Sequence, residues 1–127
     1  MKIIGVGVDI TDNLRIKKSI KNSLFLNRIF SKNEIAKSKT KINKSSFFAK
    51  RFAAKEAFVK ALGTGFRNDL NFKDISINND KLGKPMFVIN NKLKLLIKKK
   101  FKIKNYKFFL SIADEKNHSI AFVIFQK

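Results

Sequence analysis

The sequence contains no cysteine, which excludes disulfides and a thiolate metal site. It has no run of 18 apolar residues, so no membrane-spanning helix is expected. Its opening stretch, MKIIGVGVDI, enters a strand pattern directly instead of reading as a signal peptide. A soluble, cytoplasmic protein without a membrane partner is the expectation. His118 is the only histidine, and a lone loop histidine is ordinarily just solvated. Acidic residues are scarce: nine stand against 29 basic ones, for a formal net charge of +20.

That charge invites a nucleic-acid reading. Two features weigh against it. Arg15, Arg28, Arg51 and Arg67 are the only arginines, and arginine is the better residue for bidentate phosphate and base contacts. The lysines are also spread along the whole chain. Lys, Asn, Ile and Phe are abundant together, as drift in an AT-rich genome would produce. A basic nucleic-acid-binding domain without enzymatic activity therefore stands as the alternative reading. It predicts magnesium-independent binding with a steep salt dependence.

The 127 residues suffice for one domain, 1–127, with a modest core. There is no internal repeat and no linker. Residues 2–10 read as a strand with Ile4, Val6 and Val8 on one face. Gly5 and Gly7 on the other face would admit a close backbone or ligand. Residues 12–24 read as a helix with Leu14, Ile20 and Leu24 inward and Arg15, Lys17, Lys18 and Lys21 outward. Ser31-Lys32-Asn33-Glu34 is a capping box opening a short helix to about Lys39. Residues 73–78 form a strand, 79–85 a turn, and Met86 to Ile89 the return strand. Asn90 caps a lysine-rich helix with Leu93, Leu96, Ile97 and Phe101 as its inner side. Tyr106–Ala113 and Ser119–Phe125 make a hairpin. The class is α+β, an antiparallel sheet against a central buried helix. So much apolar surface on so small a chain makes an oligomer plausible.

The chain is organised around RFAAKEAFVKALGTG at residues 51–65, read as a helix from about Ser46, capped by Ser45 or Ser46, to Leu62. Ala54, Ala57, Phe58, Ala61 and Leu62 share one face at i, i+3, i+4 spacing, and Phe52 and Val59 form a second apolar flank. Gly63 closes the helix. Arg51 with Lys55, and Glu56 with Lys60, are each one helical step apart. On a solvated helix these would be ordinary surface residues. On a helix apolar on two sides the charges need compensation, which a ligand or metal would supply. Asp9, at the end of the first strand, reads either as a turn carboxylate or as part of such a site.

Asp9 in GVGVDI, the central motif, the GKP turn at 83–85 and a serine-bearing strand near the C-terminus occur in that order. The set resembles the holo-acyl-carrier-protein synthases, the small bacterial 4′-phosphopantetheinyl transferases, over nearly the whole chain. The resemblance implies a homotrimer with active sites between neighbouring subunits. It implies magnesium-dependent transfer of 4′-phosphopantetheine from coenzyme A to a serine of apo-acyl carrier protein, in fatty acid biosynthesis. Adenosine 3′,5′-bisphosphate is the other product. It implies that Asp9 and Glu56 bind the metal and that Lys60 lies beside the pyrophosphate, with Glu56 or Lys60 taking the serine proton. Arg51 and Lys84 would join Lys60 on coenzyme A. Arg15 and Lys18 would lie on the helix that docks the acidic carrier protein, a partner the +20 charge would steer in. Many members carry a serine-histidine pair on the penultimate strand; here Ala113 and Asp114 stand in those places.

Overall fold

The computed structural model describes residues 2–67 and 69–127. Strand β1 (Ile3–Asp12) leads into helices α1 (Asn13–Ser19), α2 (Ser23–Ile29) and α3 (Lys32–Ser38), then the long helix α4 (Lys44–Leu62). A 3₁₀ turn (Phe72–Asp74) precedes the hairpin β2 (Ile75–Asn79) and β3 (Pro85–Ile89). Helix α5 (Asn91–Phe101) and the hairpin β4 (Lys107–Asp114) and β5 (His118–Gln126) complete the chain. The fold is α+β. One antiparallel sheet has the order β1-β5-β4, and a second contains β2 and β3.

Helix α4 lies across the inner face of the larger sheet. Its alanines Ala53, Ala54, Ala57 and Ala61 pack with Phe58, Ala121, Val123 and Phe125 in the main core. The strand answers those small side chains with glycine. A Cβ on Gly7 would fall 1.9 Å from the Ala57 carbonyl oxygen, and one on Gly5 would fall 1.8 Å from that of Ala61. The close approach expected of this glycine face is thus an approach by helix backbone. A second cluster of Ile16, Ile29, Phe30, Phe47, Phe48 and Ala49 fills the space under α1, α2 and the start of α4.

The caps follow the side-chain chemistry, with one shift. Ser31 and Glu34 form the reciprocal capping box, Asn90 caps α5, and Gly63 ends α4 in the left-handed region at φ 72°. The N-cap of α4 is Asn43, whose side chain accepts from Ser46 N, and not Ser45 or Ser46. The helix expected over 12–24 is two helices. Asn22 accepts from Leu24 N and Phe25 N and restarts the chain as α2. Ile16 becomes the buried apolar residue of α1, while Leu14 and Leu24 are exposed. A register shift between Ile3 and Gly5 turns Ile4 onto the core, away from the face it was expected to share with Val6 and Val8.

The outer face of the larger sheet is apolar and uncovered. Val6, Val8, Ile10, Phe109, Ile120 and Phe122 are each 40–62% exposed. A contiguous patch of this kind is characteristic of an interaction surface.

Candidate active site

Where β1 crosses α4, three charged side chains meet. Asp9 follows Gly7 on the inner face of β1, and Glu56 and Lys60 lie one turn apart on α4. Lys60 Nζ donates to Asp9 Oδ1 at 3.2 Å and to the Val8 carbonyl at 3.0 Å. Thr11 Oγ1 donates to Asp9 Oδ2 at 3.1 Å, so both carboxylate oxygens are oriented. Partial burial holds the Glu56 carboxyl above its ordinary range, and the neighbouring Asp9 charge adds to this, while Lys60 and Arg15 oppose it. Two carboxylates repelling each other at a half-open site are what a cation would relieve. Among the described residues there is no cluster of three or more His, Asp or Glu that could ligate a metal. Two carboxylates suit magnesium, which keeps waters and takes substrate phosphates for its remaining positions.

The other pair on α4 behaves differently from the expectation of a ligand. Lys55 is fully buried and donates to Glu34 Oε1 at 2.6 Å, to the Ile29 carbonyl at 2.7 Å and to the Phe72 carbonyl at 3.2 Å. Burial pulls its ammonium below the usual lysine value, and Glu34 opposes that. The compensation comes from Glu34, a residue sequence reading gave only a capping role. Arg51 is also buried. Its guanidinium lies 3.8 Å from the Phe47 ring centroid and donates to Asn79 Oδ1 at 2.8 Å. It forms one wall of a cavity of about 580 Å³ shared with Lys37, Lys41, Lys50, Asn79 and Gly83. Lys84 sits in the exposed turn beside that cavity, its backbone N–H donating to Asp80 Oδ1.

Arg15 and Lys18 are exposed on α1. Arg15 reaches over the Phe52 ring, 5.7 Å from its centroid, and its charge acts on Glu56, so α1 borders the carboxylate pair. At the α1–α2 joint a groove of about 700 Å³ is lined by Ser19, Asn22, Leu24, Phe25 and Arg28. Sequence reading missed it by running the two helices together; the signal available was Asn22, a strong N-cap residue. Ala113 and Asp114 lie at the exposed end of β4, and Asp114 Oδ2 accepts from Ser46 Oγ at 3.3 Å. His118 is exposed at the hairpin turn and pairs with Glu115 at 3.1 Å, clear of the carboxylate site.

A sequence model of the 4′-phosphopantetheinyl transferase superfamily matches residues 5–123. The chain belongs to that superfamily. This transferase is similar to the holo-[acyl-carrier-protein] synthase of Pelagibacter ubique, at 61% identity over 100% of this chain and 99% of the relative. The Zymomonas mobilis synthase is 45% identical, over 98% and 96% of the two chains. The transferase fold is matched by the crystal structure of the Neisseria meningitidis synthase, with a TM-score of 0.90 and 37% identity over 99% of this chain and 100% of that one. The Bacillus anthracis synthase in complex with CoA (3′,5′-ADP) has a TM-score of 0.80 and 33% identity over 98% and 97%.

Proposed function

We propose that this chain is a holo-acyl-carrier-protein synthase. It moves 4′-phosphopantetheine from coenzyme A to a serine hydroxyl of apo-acyl carrier protein and leaves adenosine 3′,5′-bisphosphate. The observation that carries this reading is the convergence of Asp9, Glu56 and Lys60 at the β1–α4 crossing, in a chain of this superfamily. Asp9 and Glu56 would hold a magnesium ion, which when bound supplies charge neutralisation on the pyrophosphate. Lys60 places an ammonium beside that pair for the leaving phosphate. Lys60 commits donors to Asp9 and the Val8 carbonyl. Glu56, held above the ordinary carboxyl range, is therefore the better candidate to take the serine proton, directly or through water. Arg51, on the wall of the neighbouring cavity, and Lys84, in the turn next to Gly83, would bind phosphates of coenzyme A. The chain works as one transferase domain over 1–127, in the cytoplasm, as a homotrimer in which copies cover the apolar outer face of the sheet.

Apo-carrier protein incubated with coenzyme A and magnesium is expected to gain the mass of one phosphopantetheine arm. Omitting magnesium or adding a chelator should stop the gain. No gain with magnesium present would remove the assignment, and sedimentation of the same preparation as a monomer would remove the trimer.

The docking role of α1 has its own test. Reversing charge at Arg15 should disturb an acidic partner more than a small nucleotide. Arg15→Glu is expected to weaken carrier-protein binding by about tenfold or more, as loss of a charged interface contact does. Coenzyme A affinity should change far less, although Arg15 lies near enough to act on Glu56. Calorimetry showing equal losses for both ligands would place Arg15 outside the docking surface.

A further inference from the structure

Helix α3 and strand β2 are joined by a polar ladder that neither needs for its own secondary structure. The N-cap Ser31 and, on the following helical face of α3, Glu34 and Lys37 meet three consecutive residues of β2. Ser31 Oγ lies 3.1 Å from Ser76 Oγ. Glu34 Oε2 accepts from Ile77 N at 3.1 Å. Lys37 Nζ donates to Asn78 Oδ1. The next residue along, Asn79, receives Arg51 from α4. Glu34 is the central rung and is 1% exposed. Its other oxygen, Oε1, accepts from Lys55 Nζ of α4 and from Ser31 N. Three elements therefore converge on one buried carboxylate.

Arg51 is the member left incomplete. Its Nε is buried and has no hydrogen-bond partner, with Glu34 Oε2 at 3.8 Å. The guanidinium is held by the Phe47 ring, by Asn79 and by the field of Glu34, not by a bidentate clamp. Its position in the cavity therefore depends on where β2 lies relative to α4, and Glu34 fixes that spacing. The same hairpin carries Asp80 and Gly83 to the cavity.

We propose that Glu34 is a positioning residue for coenzyme A binding: it locks the β2–β3 hairpin onto α4, so that Arg51 is held at the cavity wall where a phosphate can reach it. This rests on the transferase reading above, and it adds a residue outside the cavity that acts through Arg51. Glu34 itself touches no substrate. Its carboxylate is fully engaged by Lys55, Ser31 and Ile77.

The test is a double-mutant cycle on the full-length chain, with transfer read by mass spectrometry. Glu34→Gln keeps the shape and loses the charge. It is expected to raise KM for coenzyme A about tenfold, with kcat and the KM for carrier protein within about twofold of the parent. In an Arg51→Ala background the same change should add no more than about twofold, because its route is already removed. A general loosening of the fold would instead lower kcat and multiply with Arg51→Ala. Either of those results, or an unchanged KM, overturns the proposal. If Glu34→Gln fails to fold, Asn78→Ala releases the outer rung with less burial at stake. It is expected to raise KM for coenzyme A about threefold with kcat held, and no rise there would equally overturn it. Failure of the parent chain to transfer at all would instead count against the transferase reading.

Discussion

Asp9→Ala and Glu56→Ala are each expected to leave the chain folded and to cut transfer by about 10³-fold, the scale on which preorganised charge stabilisation works in phosphoryl and acyl transfer. Either change leaves a single carboxylate facing the pyrophosphate, and Asp9→Ala also frees Lys60 from its ion partner. The loss should appear in mass spectra of carrier protein sampled over time. A fold defect is separable by sign. A carboxyl whose folded pKa is raised costs stability as pH climbs from its unfolded pKa through the folded one. Glu56 is such a group, so at neutral pH without magnesium its neutral replacement, Glu56→Gln, should melt no lower than the parent. Added magnesium should raise the parent's melting temperature and leave that of Glu56→Gln nearly unmoved, because ligand binding to the native state stabilises it by mass action. Unchanged transfer by either alanine variant would refute the metal assignment. A large drop in melting temperature for Glu56→Gln would refute the reading of Glu56 as a strained functional carboxylate.

The parts of the fold that were legible in the sequence are those decided locally. Ser31 with Glu34, Asn90 and Gly63 marked helix ends because a cap is a contact across three or four residues. The alternation in β4 and β5 and the Leu93/Ile97 side of α5 gave faces, since periodicity records which side is buried. The joint between α1 and α2 was hidden because Leu14, Ile20 and Leu24 mimic one helix, while Asn22 supplies a competing cap. The turn of Ile4 onto the core was hidden because one register shift changes the face without changing composition. The largest gap concerned the site. Charges at Arg51 and Lys55 announced that something must compensate them, yet the partner, Glu34, comes from another helix 17 and 21 residues upstream. No local pattern encodes that contact. Removing one member of such a buried pair costs about 3–5 kcal/mol, so the requirement is strong even though the sequence hides it. Asp9, Glu56 and Lys60 were legible because they fall in motifs; Thr11, which orients Asp9, carries no such signal.

Gly7→Ala is expected to be strongly destabilising although it adds only one methyl group. The added Cβ would meet Ala57 O at 1.9 Å and Ala61 N at 2.7 Å. Both are backbone atoms of α4, so no side chain can turn aside, and the helix must lift from the sheet. Overpacking in a dense interior costs about 1–3 kcal/mol and sometimes more; with backbone on both sides, about 3 kcal/mol is expected here, or roughly 10 °C of melting temperature for a domain of this size. Function should fall along with stability, because Gly7 stands two residues before Asp9 and the displaced segment of α4 carries Glu56 and Lys60. Gly65→Ala is the control. Its added Cβ meets nothing within 4 Å, and only its φ of 63° is unfavourable, which costs about 1 kcal/mol. Thermal melts of the two variants decide the matter. If Gly7→Ala were no less stable than Gly65→Ala, contact between strand and helix backbones would not be what positions the carboxylate pair, and the geometry of the site would need another cause.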